Sequence, residues 1–124
     1  RQERVALPPA RVRLGRLAFP RWLGSQFVDD DATLSMVEAG STVFLGVPCD
    51  LASSLGSQLK RAARAHGLQP MVIGFASDYI GYCVPASLYE EKQYESSMAF
   101  NGPKAGELVV NRLTEMMTMV ASDQ

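Results

Sequence analysis

Two apolar runs, VFLGVP at 43–48 and PMVIGFA at 70–76, bracket a segment of a different period, and this arrangement limits the fold more than any other feature. VFLGVP is nearly continuous in apolar residues, as expected of a strand covered on both faces. After Asp50 the apolar positions recur about every four residues, with Leu51, Leu55 and Leu59 on one side and Lys60, Arg61 and Arg64 mainly elsewhere, which predicts a helix. His66-Gly67 should stop it, the glycine acting as a left-handed cap. PMVIGFA then reads as a second buried strand. Positions 43–75 thus form a strand-helix-strand unit, whose crossover should be right-handed and whose strands should be parallel. Ligands of open α/β sheets gather beyond the carboxyl ends of such strands, here Val47-Pro48-Cys49-Asp50 and Phe75-Ala76-Ser77-Asp78.

The flanking sequence builds on that unit. TLSMVEAGSTVFLGVP holds two β-rich runs around Ala39-Gly40 and predicts a hairpin. In ARVRLGRLAF, Ala10, Val12 and Leu14 alternate with arginines until the phase flips at Gly15 to Leu17 and Phe19, a strand with a bulge or turn at the glycine. PRWLGSQFVDDD is a connection with one helical turn that places Phe19, Trp22, Leu23 and Phe27 together, and these are expected to plug an end of the core. Asn101-Gly102-Pro103 opens a last helix, on which Ala105, Leu108, Val109, Leu113, Met116, Met117 and Val120 trace one apolar stripe. The methionines on that spacing are core filler. The fold class expected is α/β: a small mixed β-sheet with the 43–75 crossover, two to three flanking helices and a long C-terminal helix.

Composition excludes several functions. The 124 residues are 47% apolar and 20% charged, suiting a single folded domain over 1–124 and not a disordered tail. Twelve basic residues against thirteen acidic leave a net charge of −1, so nucleic acid is not an expected partner. Arg1, Arg4, Arg11, Arg13, Arg16 and Arg21 precede the acidic run Asp29, Asp30, Asp31; these read as a solvated strand face and a turn, the aspartates lacking the order of a calcium loop. No apolar run approaches the roughly 20 residues of a membrane span. Cys49 and Cys83 permit one disulfide but lack CxxC spacing and read as buried thiols. There is no P-loop, no G-x-S-x-G elbow and no dinucleotide fingerprint.

All four tyrosines, Tyr79, Tyr82, Tyr89 and Tyr94, fall in one segment directly after the second strand. Asp50 could therefore share one sheet edge with part of that segment. Taken singly, each polar residue has an ordinary role. Asp50 before a helix is expected as its N-cap, which leaves one carboxylate oxygen for chemistry. A tyrosine is usually an interface or core residue with its hydroxyl tied off. His66, the only histidine, sits at a helix C-terminus, so this chain cannot assemble a His-rich zinc site alone.

The run GFASDYIGYCVPASLYEEKQYESSMAFNGP resembles the neutral, non-lysosomal ceramidase family near the end of its catalytic domain. The family's Tyr-x-x-Tyr pair, a Tyr seven residues on, a Tyr-Glu five beyond it and a Gly-Pro opening the last helix are kept at Tyr79, Tyr82, Tyr89, Tyr94-Glu95 and Gly102-Pro103. Upstream, VFLGVPCDLASSLGSQLKRA is similar to a family strand that ends in Pro-Gly-Glu before a helix. The resemblance covers roughly positions 33 to 120 and is weak over the first 32 residues. It implies amide hydrolysis of ceramide or a related lipid at a zinc site, with Asp50 at the glutamate ligand position and Tyr82 at the tyrosine ligand position. Tyr79, Tyr89, Tyr94 and Glu95 would then be structural support. The family's histidine ligands and serine nucleophile have no match here, so the chain is expected to carry no catalytic nucleophile, to hold zinc only with upstream histidines, and to be inactive alone.

Three departures stand out. Asp50 replaces a glutamate, Cys49 a glycine, and Val84-Pro85 a threonine pair. If the strands stay regular, Cys49 and Cys83 point away from the ligand face. The chain opens RQERVALPP without an initiating Met and is expected to be the C-terminal fragment of a larger catalytic domain, partnered by the part upstream of Arg1. A lipid amide substrate, a secreted, periplasmic or cell-surface location and self-association of the excised piece complete the expectations. The competing readings are a noncatalytic interaction or scaffold module that kept the fold and lost the site, and a hydrolase of nonlipid amides.

Overall fold

The structure is a computed structural model that describes residues 1–14, 17–24, 26–91 and 93–122. In chain order the elements are β1 (Gln2–Ala6), β2 (Arg13–Leu14), β3 (Leu17–Ala18), α1 (Arg21–Gly24), β4 (Asp31–Ala39), β5 (Thr42–Gly46) and β6 (Asp50–Leu51). There follow α2 (Ser53–Ala65), β7 (Gln69–Ile73), β8 (Tyr82–Cys83), α3 (Ala86–Glu90), α4 (Tyr94–Ser97) and α5 (Ala105–Ser122).

Strands β1, β4, β5 and β7 form one mixed sheet in the order β1-β4-β5-β7. β4 and β5 pair antiparallel as the hairpin read from Ala39-Gly40, with Gly40 at φ 61° in the turn. β5 and β7 pair parallel, Leu45 opposite Val72, with α2 as the crossover. This is the unit that the two apolar runs require, since parallel neighbours need a long connection and an amphipathic helix supplies a face to bury. α2 ends at Ala65, and Gly67 takes φ 76° after it. Leu55, Leu59 and Ala63 of α2 meet Val109, Leu113, Met116 and Met117 of α5 over Ala32, Leu34, Met36, Val43 and Leu45 of the sheet. The methionines at 116 and 117 are thus core, as their spacing predicts. Across the closed face the registers align Met36, Leu45 and Val72 in one row.

Several expectations are corrected. Both helices lie on one side of the sheet, so β7 is covered on one face only, whereas the 43–48 run is buried except at half-buried Phe44, Gly46 lying beneath Ala76 on the other face. Phe44 is half-buried, while Met71 is 53% exposed, Ile73 47% and Phe75 61%. An apolar run reports what could be buried, not what is, and these residues alternate inward and outward like any half-covered strand. Phe19, Trp22 and Phe27 do not plug the core: Trp22 is 66% exposed and Phe27 82%. The single helical turn is present as α1, but it leaves those rings outside. Leu51 belongs to β6 and not to the helix, which begins at Ser53.

β2 and β3 pair antiparallel, Arg13 opposite Ala18 and Leu14 opposite Leu17, so the phase flip marks a reversal; Gly15 and Arg16 lie outside the described residues. β1 was not legible in the sequence, because only Val5 of its five residues is buried and a single inward position sets no period. It is held by its ladder to β4, by Arg4 pairing with Asp31 at 2.6 Å, and by Arg112 of α5 reaching Glu3. Asp31 therefore opens a strand, and its neighbour Arg4 holds its carboxyl below the ordinary carboxylate range.

Candidate functional site

Beyond the carboxyl end of β5 the chain continues through Val47, Pro48 and Cys49 and meets the tyrosine segment. Ile80 N donates to Pro48 O at 2.8 Å, Asp50 N to Gly81 O at 2.9 Å and Ala52 N to Cys83 O at 2.9 Å, a regularly spaced parallel ladder. Its register sets Asp50 opposite Tyr82 and Leu51 opposite Cys83. Strand alternation does the rest. Cys49 and Cys83 are fully buried free thiols in the core, whereas Asp50 and Tyr82 are half-buried and share the other face. The cysteine next to each candidate ligand thus packs away from it, and a hydrogen bond with the Cys83 thiol, then burial, pushes the Cys49 thiol well above its ordinary range.

Gly81 makes this pairing possible. It sits at φ 82°, and a Cβ there would lie 2.3 Å from the Met98 carbonyl oxygen, the same oxygen that accepts from Tyr82 N at 3.0 Å. Upstream of it, Phe75 at φ 56° and Ser77 at φ 69° are non-glycine residues in the left-handed region. Their loop is fixed from outside: Ala76 N donates to Val47 O at 2.9 Å, and Asp78 Oδ2 accepts from Thr33 N at 2.6 Å. Nothing in the sequence marks those two positions, since left-handed aromatic and serine residues are imposed by surroundings.

Asp50 is not the N-cap that its place before a helix predicts. The cap of α2 is Ala52, without any side-chain hydrogen bond, and Asp50 is in the ladder two residues earlier. Its carboxylate instead faces the Tyr82 phenol. Partial burial first, then the Asp50 charge, the Tyr94 phenol and a hydrogen bond to Asp50 push the Tyr82 phenol above its ordinary value, so Tyr82 keeps its proton.

The remaining tyrosines part company. Tyr94 presents its ring edge-on to Tyr82, centroids 6.1 Å apart, and is largely exposed. Tyr79 stacks on Phe75 at 5.5 Å, both exposed. Only Tyr89 is buried, packed with Val84 and Ala99. His66 is exposed at the end of α2, away from the ladder.

A cleft of about 330 Å³ opens on this pair. Asp50, Tyr82 and Ser53 line it, as do Leu88, Gln93 and Glu95 from the α3–α4 segment. Two carboxylates and no Lys, Arg or His border it among the described residues, an electrostatic setting that favours a cation. Gln93 and Leu88 were not singled out in the sequence, for a solvent-facing residue on a short helix carries no periodic signal. Among the described residues no group of three His, Cys, Asp or Glu side chains is placed to hold a metal ion. Asp50 and Tyr82 supply two oxygen donors, fewer than the four of a closed zinc site. No described helix is long and apolar enough to cross a membrane.

No family model matches the chain. It is 26% identical over 119 residues to the neutral ceramidase of Drosophila melanogaster, covering 88% of this chain and 16% of that protein. In structure it is similar to the neutral ceramidase from Pseudomonas aeruginosa, with a TM-score of 0.70 and 20% identity over 77% of this chain and 16% of that one. A ceramidase complexed with C2 gives a TM-score of 0.69 at the same identity and coverage. The chain therefore spans a small part of the length of each relative it matches. In sequence and in fold it is ceramidase-like, the counterpart of one stretch of a neutral ceramidase.

Proposed function

We propose that this chain is the carboxyl-terminal portion of the catalytic domain of a ceramidase-like zinc amidohydrolase, and that Asp50 and Tyr82 are its contribution to the metal site. The observation that carries this reading is the register of Asp50 with Tyr82 on one face of the β6–β8 ladder, at an acidic cleft. Ligands brought together by backbone pairing are pre-positioned, which is what a metal site needs from its scaffold. The donor set fits half of a zinc centre, and imidazoles from outside residues 1–124 would complete it. When bound, zinc would polarise an amide carbonyl and acidify a water for attack on it.

What the chain's own residues do is more specific. Tyr82 holds its proton until a cation faces it, because Asp50 opposes a second negative charge alongside. Beside a bound dication the Tyr82 phenol would instead give up its proton. Tyr94, edge-on to Tyr82, limits where that ring can turn. The nucleophile comes from elsewhere in the polypeptide, so residues 1–124 alone hydrolyse nothing.

The aspartate at position 50 favours a second reading, a scaffold or interaction module that has lost its metal, since Asp is one methylene shorter than the glutamate of the resemblance. Assaying the zinc-loaded natural polypeptide that contains residues 1–124 decides between them. Fatty acid released from N-acylsphingosine supports the proposal. Cleavage of nonlipid amides alone would redirect the substrate, and no hydrolysis of either would leave the scaffold.

A further inference from the structure

The two helices cover one face of the four-stranded sheet and leave much of the other open, Gly46 being buried there beneath Ala76. The registers align Val37, Phe44 and Met71 in one row across β4, β5 and β7, and Ser35, Gly46 and Ile73 in the next. Val37 is 57% exposed, and Met71 and Ile73 are exposed with it. Ala39, Thr42 and Gln69 form a third row, so these three rows hold no charge, and the Arg4–Asp31 pair lies on the same face towards β1. Along β7 the apolar line runs on past Ile73 to Phe75, which stacks on Tyr79, three residues before Tyr82. The open face therefore runs into the segment that carries Tyr82.

We propose that this face seats a second layer of polypeptide, supplied by the part of a ceramidase-like chain lying outside residues 1–124, and that the same layer extends over the Phe75–Tyr79 stack. The identity of the occupant rests on the ceramidase reading. Three observations select it. The β5–β7 crossover is the unit of wholly parallel sheets, which are covered on both faces, whereas here it sits in a mixed sheet that helices cover on one face. The matched relatives are several times longer, this chain spanning 16% of each, so chain is available there to form the layer. The three rows of β4, β5 and β7 are apolar or neutral and suit another layer of polypeptide, whereas an anionic membrane surface or a nucleic acid would call for a cluster of Lys and Arg; the one cation near these rows, Arg4, is paired with Asp31.

The test places single cysteines in the natural polypeptide containing residues 1–124 and measures maleimide labelling of the folded protein. Val37→Cys, Met71→Cys and Ile73→Cys report the open face, and Arg64→Cys, exposed on α2, reports free solvent. Cys49 and Cys83 are buried, and the unmodified protein gives their background. The open-face probes should label at least on the order of tenfold more slowly than Arg64→Cys, unchanged by dilution or by anionic vesicles. Labelling at the Arg64→Cys rate would overturn the proposal. So would protection that is lost on dilution, which would mean a second copy, or protection that needs vesicles, which would mean lipid. Should a cysteine variant misfold, hydroxyl-radical footprinting of Met71 and Phe75 in the unmodified polypeptide answers the same question. Zinc content is measured in parallel: a covered face without zinc keeps this proposal and ends the catalytic one, while zinc with a bare face does the reverse.

Discussion

Asp50 and Tyr82 face each other across a two-residue parallel ladder, although one precedes helix α2 and the other follows strand β7. Backbone pairing alone brings them together, and no side-chain contact has to be made first. The ladder should therefore form, and hold both side chains in place, without any metal.

The tyrosine ionisation gives the first prediction. The Tyr82 phenol is raised above the ordinary 10.0 in the folded protein. Between that value and its higher folded value, the folded state keeps a proton that the unfolded state has lost, so stability falls as pH rises through this window and is untouched below it. Absorbance titration at alkaline pH should show a late-ionising tyrosine that disappears in Tyr82→Phe and moves earlier in Asp50→Asn. Zinc added to the natural polypeptide should move it below 10.

Glycine substitutions separate backbone strain from collision. Gly40 sits at φ 61° with nothing within 4 Å of a built Cβ, and Gly40→Ala should cost about 1 kcal/mol in denaturant unfolding. Gly81 combines φ 82° with a Cβ position 2.3 Å from a backbone oxygen. Gly81→Ala should cost about 2–4 kcal/mol and alter the Tyr82 titration, because the ladder beside it must shift.

Core and open face should respond differently in residues 1–124 alone. Leu59→Ala and Leu113→Ala empty fully buried positions under the helices and should each cost about 2–5 kcal/mol. Met71→Ala on the bare face should change stability by less than about 0.5 kcal/mol there. Urea unfolding of the three variants checks the contrast.

Much of this architecture was legible in advance, for reasons that differ by element. The hairpin at Ala39-Gly40, the crossover and the stripe on α5 are written in period and turn chemistry, both local properties. The contribution of β1, the left-handed Phe75 and Ser77 and the exposure of Trp22 and Phe27 depend on what lies nearby in space. The open face of β7 is the instructive case: apolar residues there announce a buried strand, yet the described residues leave Met71 and Ile73 without a second cover. At the site, alternation foretold that Cys49 and Cys83 would turn inward, whereas the N-cap role expected of Asp50 gave way to β pairing. Tyr82 had no signal of its own apart from the ceramidase-like spacing of its neighbours.

Lengthening the acid tests the departure at position 50. If Asp50 reaches the metal imperfectly, Asp50→Glu should raise zinc affinity of the natural polypeptide on the order of tenfold, read by competition with a chromophoric chelator. Unchanged or weaker binding would mean that the backbone already compensates for the missing methylene.

The most direct measurement is the zinc content of the purified natural polypeptide beside its Tyr82→Phe and Asp50→Ala variants, with circular dichroism confirming that each is folded. About one zinc per chain in the unmodified protein, falling to near zero in both variants, is the expected result. Full zinc retention in both variants, or none in the unmodified protein, would contradict the assignment of these two residues to a metal.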